Sequence, residues 1–266
     1  MNHMLAVAAA LALAGAAFAG GKSGASTSRV PLVCAHRGAS AAAPENTLSA
    51  FRLAVELGAD EVELDTSLTS DGVPVVLHDG TVDRTTDGTG VVETLPLAYI
   101  KKLDAGSWKD PKYKGEPMPT LDQVFTMKRR PFVNCEIKAN TKDINKLVAA
   151  VVGLIEKRHL EKKVIISSFS GPVLERVHQV NPRIATGFLY SGKTPETLPV
   201  GITALHPMYP EVTAAFMEFA HSKGLEVNVW TVDDATEMKR LIALGVNSII
   251  TNKPDLMRQI LNEQAK

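Results

Sequence analysis

The sequence predicts an α/β protein built as a TIM-type (β/α)8 barrel, with a small insertion between the second and third barrel strands. Three observations carry this. Short apolar runs that end at polar residues recur eight times after residue 30, and helical periodicity fills the intervals between them. The array spans about 220 residues, the size and rhythm of such a barrel. Strands that alternate with helices imply a parallel sheet. An open doubly wound sheet is the competing architecture. It fits less well, because no Gly-rich dinucleotide fingerprint follows any strand, and Gly88-Thr89-Gly90 is a short loop signal with nothing behind it.

The elements follow in order. Met1 to Gly21 carry no charged side chain, and Met4 to Gly20 are almost wholly Ala, Leu, Val and Gly. Ala17-Phe18-Ala19 has the small-x-small pattern that a signal peptidase reads. Residues 1–19 therefore read as a signal peptide, 20–29 as a flexible leader and 30–266 as one domain. The chain is expected to be exported, periplasmic or secreted, with an N-terminal anchor as the outcome if the signal is not cut. No stable membrane insertion is expected after signal removal.

Pro31–His36 is the first run. Leu48, Phe51 and Val55 then recur at helical spacing, with Gly58 at the position of a C-terminal cap. Glu61–Leu68 is the second run. Only Thr69 to Gly72 separate it from another, Val73–His78, and Asp71-Gly72 is a hairpin signal, so that run must return antiparallel and bring His78 back beside the second strand. The insertion occupies about residues 80–120. Thr120 and Gln123 have the spacing of a capping pair before the next run, Phe132–Lys138. Val164–Phe169, Ile184–Leu189, Ile202–His206, Glu226–Thr231 and Ser248–Thr251 complete the eight. Asp234 with Glu237 opens a helix, Gly224 and Gly245 close helices, and Pro254 suits the start of the last. Cys34 shares a strand face with His36, whereas Cys135 adjoins Glu136 and points the other way, so both are expected as buried free thiols.

Charge decides little globally. The chain carries 29 Lys+Arg and 29 Asp+Glu, which argues against nucleic-acid binding through bulk positive charge. Local patterns are more informative. Strand one ends in His36-Arg37-Gly38, strand two carries Glu63 and Asp65, strand three carries Glu136 and Lys138, and the hairpin return ends in His78-Asp79. Members of each i, i+2 pair face one side of their strand. Three carboxylates converging in a partly buried mouth repel and need a cation. A hard divalent ion, Ca²⁺ or Mg²⁺, suits an all-oxygen donor set better than zinc, and salt bridges to Arg37 and Lys138 are the alternative. His36 and His78 titrate near neutral pH, as a general acid and base require. Arg37 offers a bidentate fork for a phosphate and Lys138 a compact charge for developing negative oxygen. His206 is only an outer candidate.

His36-Arg37-Gly38-Ala39-Ser40, Pro44-Glu45-Asn46-Thr47, Glu63-Leu64-Asp65, His78-Asp79, Glu136-Ile137-Lys138, Ser168-Phe169 and Asn228-Val229-Trp230-Thr231 resemble, in order, the motifs of the glycerophosphodiester phosphodiesterase family. The likeness runs from about His36 to Asp255, and 104–108 and 114–117 resemble the insertion that members carry. It implies metal-dependent hydrolysis of glycerophosphodiesters, such as glycerophosphocholine or glycerophosphoethanolamine, to glycerol 3-phosphate and an alcohol. Glu63, Asp65 and Glu136 would bind one divalent cation, and His36 and His78 would exchange protons. Arg37 and Lys138 would hold the phosphate, with Phe169 and Trp230 as an apolar wall beside the glycerol; barrel packing is the other reading of these aromatics. Glu45 and Asn46 would order the first loop. Two positions depart from the pattern, Ala41 for Gly and Asn252 for Asp; neither is a ligand or acid–base position, so both are expected to bear on loop detail alone.

Two other classes stay open. Phospholipase D-like toxins and phosphatidylinositol-specific phospholipase C have similar mouths but act on membrane lipids, which calls for an exposed apolar rim near Tyr99, Trp108 or Tyr113. A non-catalytic phosphate-binding exported protein should lack one of the histidines or carboxylates, and none is missing. Oligomeric state and head-group preference leave no mark on the sequence.

Overall fold

The computed structural model describes residues 30–129, 131–139 and 141–266. The export signal and leader assigned to 1–29 lie outside them. No helix among the described residues is long and apolar enough to cross a membrane.

Eight parallel strands close into a barrel. They are β1 (Leu32–Ala35), β2 (Glu61–Leu68), β4 (Phe132–Ile137), β5 (Val164–Ser168), β6 (Ala185–Tyr190), β7 (Ala204–Pro207), β8 (Glu226–Val229) and β9 (Ser248–Thr251). Neighbours pair in sequence order, and β1 pairs with both β2 and β9, which removes every free edge of the barrel. The ninth strand, β3 (Pro74–Val76), runs antiparallel to the end of β2, with Thr66 opposite Val76, as the Asp71-Gly72 turn requires.

Helices α1 (Leu48–Glu56), α3 (Leu121–Phe125), α4 (Ile144–Lys157), α5 (Gly171–Val180), α6 (Ala214–Ser222), α7 (Ala235–Leu244) and α8 (Pro254–Gln264) surround the barrel; α2 (Leu97–Ile100) lies in the segment between β3 and α3. The predicted caps form. Thr120 and Gln123 close a reciprocal capping box, Asp234 accepts from the amides of Thr236 and Glu237, Gly245 ends α7 in the left-handed conformation, and Pro254 opens α8. One interval differs from expectation. Between β6 and β7 the chain forms no helix, because Pro195 and Pro199 each remove a backbone donor and Gly192 and Gly201 sit at positive φ. His159 follows the end of α4 with φ 54.

Two apolar layers fill the space between barrel and helices, one around β2, β4 and α4 and one around β7, β8 and α7, while a third, with Val75, Val82, Val92 and Ile100, packs under the segment after β3. Cys135 belongs to the first layer, whereas Cys34 faces Glu61 in the barrel interior; both thiols are free, buried and pushed up in pKa by that burial. The interior itself is unusually polar. His206, the outer candidate by sequence, is wholly buried there. Its Nε2 lies 3.0 Å from Asn228 Nδ2, and burial takes its pKa down to about 3. The ring occupies the room left by Gly187, where any Cβ would collide with it.

Candidate active site

All nine residues singled out by sequence converge at the C-terminal ends of the strands. His36, Arg37, Glu63, His78, Glu136, Lys138, Phe169 and Trp230 line one pocket of about 160 Å³, and Asp65 lies beneath it, bonded to Lys138. Local backbone explains the convergence. Arg37 and Gly38 both turn at positive φ as the chain leaves β1, and the Arg37 amide donates to Glu63 Oε2 at 2.9 Å. Gly38 is needed twice over, since a Cβ there would lie 2.7 Å from the backbone of Ala50. On β2 and β4, Asp65 stands directly opposite Glu136. The antiparallel return of β3 ends with the Leu77 amide donating to Asp65 O at 3.0 Å, which delivers His78 to the same mouth.

Single oxygens of Glu63, Asp65 and Glu136 all lie within 4.8 Å of one another. Their environments separate them electrostatically. Burial, reinforced by repulsion from Asp65 and Glu136, raises Glu63 well above the usual carboxylate range, and burial with Asp65 raises Glu136 to about 7. Burial opposes ionisation of Asp65 too, but Lys138 and Arg37 outweigh it and hold that carboxyl below its ordinary range. Lys138 Nζ sits 2.7 Å from Asp65 and 2.8 Å from Glu136, and Arg37 Nε 3.4 Å from Asp65. Salt bridges to Lys138 and Arg37, the alternative to a metal, therefore exist, yet among the described residues Glu63 is in none of them: it accepts from the Arg37 amide and lies 3.9 Å from His36 Nε2. A buried all-oxygen triad in which one carboxylate has, among the described residues, no cationic side chain in hydrogen-bond contact fits a hard divalent ion.

Neighbours fix the tautomer of each histidine. Asp79 Oδ1 lies 2.7 Å from His78 Nδ1, and an ionised carboxylate only accepts, so the proton is on Nδ1 and Nε2 is free for exchange. Asn252 Oδ1 lies 2.7 Å from His36 Nδ1, while its amide nitrogen donates to Asp233 Oδ2 at 2.6 Å, so the carbonyl end faces His36 and again leaves Nε2 as the open atom. Burial, with Arg37 nearby, lowers the His36 pKa and keeps that ring neutral at neutral pH. Asn252 thus touches a candidate acid–base residue, and its departure from the motif is not confined to loop detail.

Residues 36–256 match the model of the glycerophosphoryl diester phosphodiesterase family. The chain belongs to that family. It is 40% identical to the glycerophosphodiester phosphodiesterase of Caldanaerobacter subterraneus, over 87% of this chain and 98% of that protein, and 34% identical to one from Bacillus subtilis, over 86% of each. The fold matches an Oleispira antarctica phosphodiesterase solved in complex with the product sn-glycerol-3-phosphate, with a TM-score of 0.80, 30% identity and coverage of 88% and 97%.

As a phosphodiesterase of this family, the chain has a pocket of two halves. His36, Arg37, His78 and Lys138 form the polar side, and Phe169, Leu189, Trp230 and Ile250 the apolar one. Phe169 and Trp230 meet edge to face at 5.5 Å, and the Trp230 indole donates to His206 O at 2.7 Å. Phe169 is 49% exposed, more than barrel packing alone accounts for. Asn46, in the left-handed conformation, donates to Asp65 Oδ2 at 2.8 Å, and Glu45 accepts from Arg37 Nη1 at 2.8 Å, so the first loop is ordered by both. The sequence pattern missed Asp233, Asn134 and Ser167. Asn134 and Ser167 pave the pocket floor and bond each other at 2.7 Å. Their position two residues before Glu136 and Phe169, on the same strand face, was the signal available.

Proposed function

We propose that this chain hydrolyses glycerophosphodiesters, such as glycerophosphocholine and glycerophosphoethanolamine, to glycerol 3-phosphate and an alcohol. His36 and His78 serve as the acid–base pair, and Glu63, Asp65 and Glu136 hold a divalent cation, Ca²⁺ or Mg²⁺. The observation that carries the reading is the meeting, in one small pocket, of two histidines with open Nε2 atoms and a buried triad of carboxylates. The relative bound to sn-glycerol-3-phosphate supports the substrate class.

When bound, the cation would neutralise the triad and polarise a phosphoryl oxygen. The residues of the chain do the rest. Arg37 and Lys138 draw the anionic phosphate into the polar half, and Phe169 and Trp230 cover the glycerol carbons. One histidine takes the proton of the glycerol 2-hydroxyl as that oxygen bonds to phosphorus, and the other gives a proton to the departing alcohol as its P–O bond breaks. Water then opens the cyclic glycerol phosphate with the roles reversed, its proton passing to the histidine that had given one, while the 2-oxygen recovers a proton from the first. One water is consumed and both histidines return to their starting states.

Incubation with glycerophosphocholine and Ca²⁺ or Mg²⁺ is expected to release glycerol 3-phosphate, and a chelator to abolish release. No product with either cation overturns the reading. Full activity of Glu63→Ala would overturn the metal assignment alone. An analogue lacking the 2-hydroxyl should not turn over; undiminished turnover would demand direct attack by water.

A further inference from the structure

Arg84 lies outside the motifs and outside the pocket lining, yet its guanidinium is committed to the active site. Nε donates to Asp79 Oδ2 at 2.6 Å, while Nη1 and Nη2 grip both oxygens of Glu45 at 3.1 and 2.8 Å. Both partners are themselves bound to candidate site residues: Asp79 Oδ1 to His78 Nδ1 at 2.7 Å, and Glu45 Oε1 to Arg37 Nη1 at 2.8 Å. An unbroken chain thus runs from His78 through Asp79, Arg84 and Glu45 to Arg37.

The loop that presents Arg84 is fixed. Thr81 and Val91 form an antiparallel bridge across it, and Asp83 Oδ1 accepts from the Gly90 amide at 2.7 Å. Val82 and Thr85, flanking Arg84 closely, are 0% and 5% exposed, so the backbone there is anchored in the apolar layer under the segment. Burial opposes ionisation of Glu45, and Arg84 with Arg37 overcomes it, which keeps the Glu45 carboxylate charged between the two guanidinium groups.

We infer that Arg84 is a positioning residue that ties a proton-transfer group to a phosphate-binding group within the polar side of the pocket, holding His78 through Asp79 and Arg37 through Glu45. A planar fork with a third donor can bridge two carboxylates in this way; a lysine ammonium cannot grip Glu45 at both oxygens and reach Asp79 from the same side. Loss of such an outer partner costs about 10–100-fold at comparable sites. The inference rests on the proposed hydrolysis for its kinetic part only.

The test uses the full chain with Ca²⁺ and glycerophosphocholine. Arg84→Ala is expected to lower kcat and raise KM together, to be partly rescued by millimolar guanidinium, and to be non-additive with Asp79→Asn. Arg84→Lys should not restore activity. Arg158→Ala, which breaks a pair with Asp122 away from the pocket, controls for nonspecific effects and should show neither loss nor rescue. Wild-type kcat and KM in Arg84→Ala, or loss without guanidinium rescue, overturns the inference. A second readout needs no turnover: the downfield Nδ1 proton of His78, identified by its absence in His78→Gln, should shift or vanish in Arg84→Ala, and an unchanged resonance overturns the inference. An inactive wild type would overturn the proposed hydrolysis while this resonance still judges Arg84.

Discussion

Asn252 and Asp79 perform the same task at two histidines of the pocket, each accepting from a ring Nδ1, but one is a neutral amide and the other a carboxylate. At His36 the amide's hydrogen bond favours protonation but is outweighed by burial and by Arg37, so that ring's pKa is lowered. His206 shows how burial alone acts. Its ordinary pKa is 6.5 and falls to about 3 in the fold. The unfolded chain therefore binds a proton below pH 6.5 that the folded chain refuses, so this group removes stability as pH falls from 6.5 toward 3, at about 1.4 kcal/mol per pH unit. Between pH 6.5 and 5, His206→Gln should lose about 2 kcal/mol less than wild type in denaturant titrations. Equal losses would show that the imidazole is not held neutral.

Elements were legible wherever the determining signal was local. The capping box at Thr120, the left-handed Gly245 and the hairpin at Asp71-Gly72 each depend on a few adjacent residues, and all formed as read. The β6–β7 connection was misread because regular spacing of apolar runs suggested a helix where two prolines forbid it. The β1–α1 turn couples an element to the chemistry. Gly38→Ala would force an L residue to φ 79 and press its methyl on Ala50, a strain of about 1–3 kcal/mol. Melting temperature should fall, and because Arg37 precedes the strained residue, kcat/KM should fall further than the unfolded fraction explains. A loss matched by the unfolded fraction would separate the turn from the site.

At the scale of the whole molecule, pairing of β2 with β4 brings Glu136, distant in sequence, against Glu63 and Asp65 and so concentrates three carboxylates. Their repulsion opposes folding until a cation is bound, so a cation that binds the folded chain alone should raise its stability. At a concentration 100 times Kd the gain is about 2.7 kcal/mol, measurable as a rise in melting temperature with Ca²⁺ or Mg²⁺. Glu63→Gln should blunt that rise. An equal rise in the variant would place the cation elsewhere.

The sequence by itself determined the strand count, the antiparallel return of β3, the free cysteines and nine candidate residues that converge in one mouth, because period-2 alternation and adjacent turn residues act over a few positions. Only the tertiary structure decided that Asn252 and Asp233 orient His36, that His206 is sealed inside the barrel, and that Arg84 bridges Asp79 and Glu45. Those contacts link residues 216, 22 and 39 positions apart. Such distances close only when strands and loops far apart in the chain pack together, and no local pattern records them.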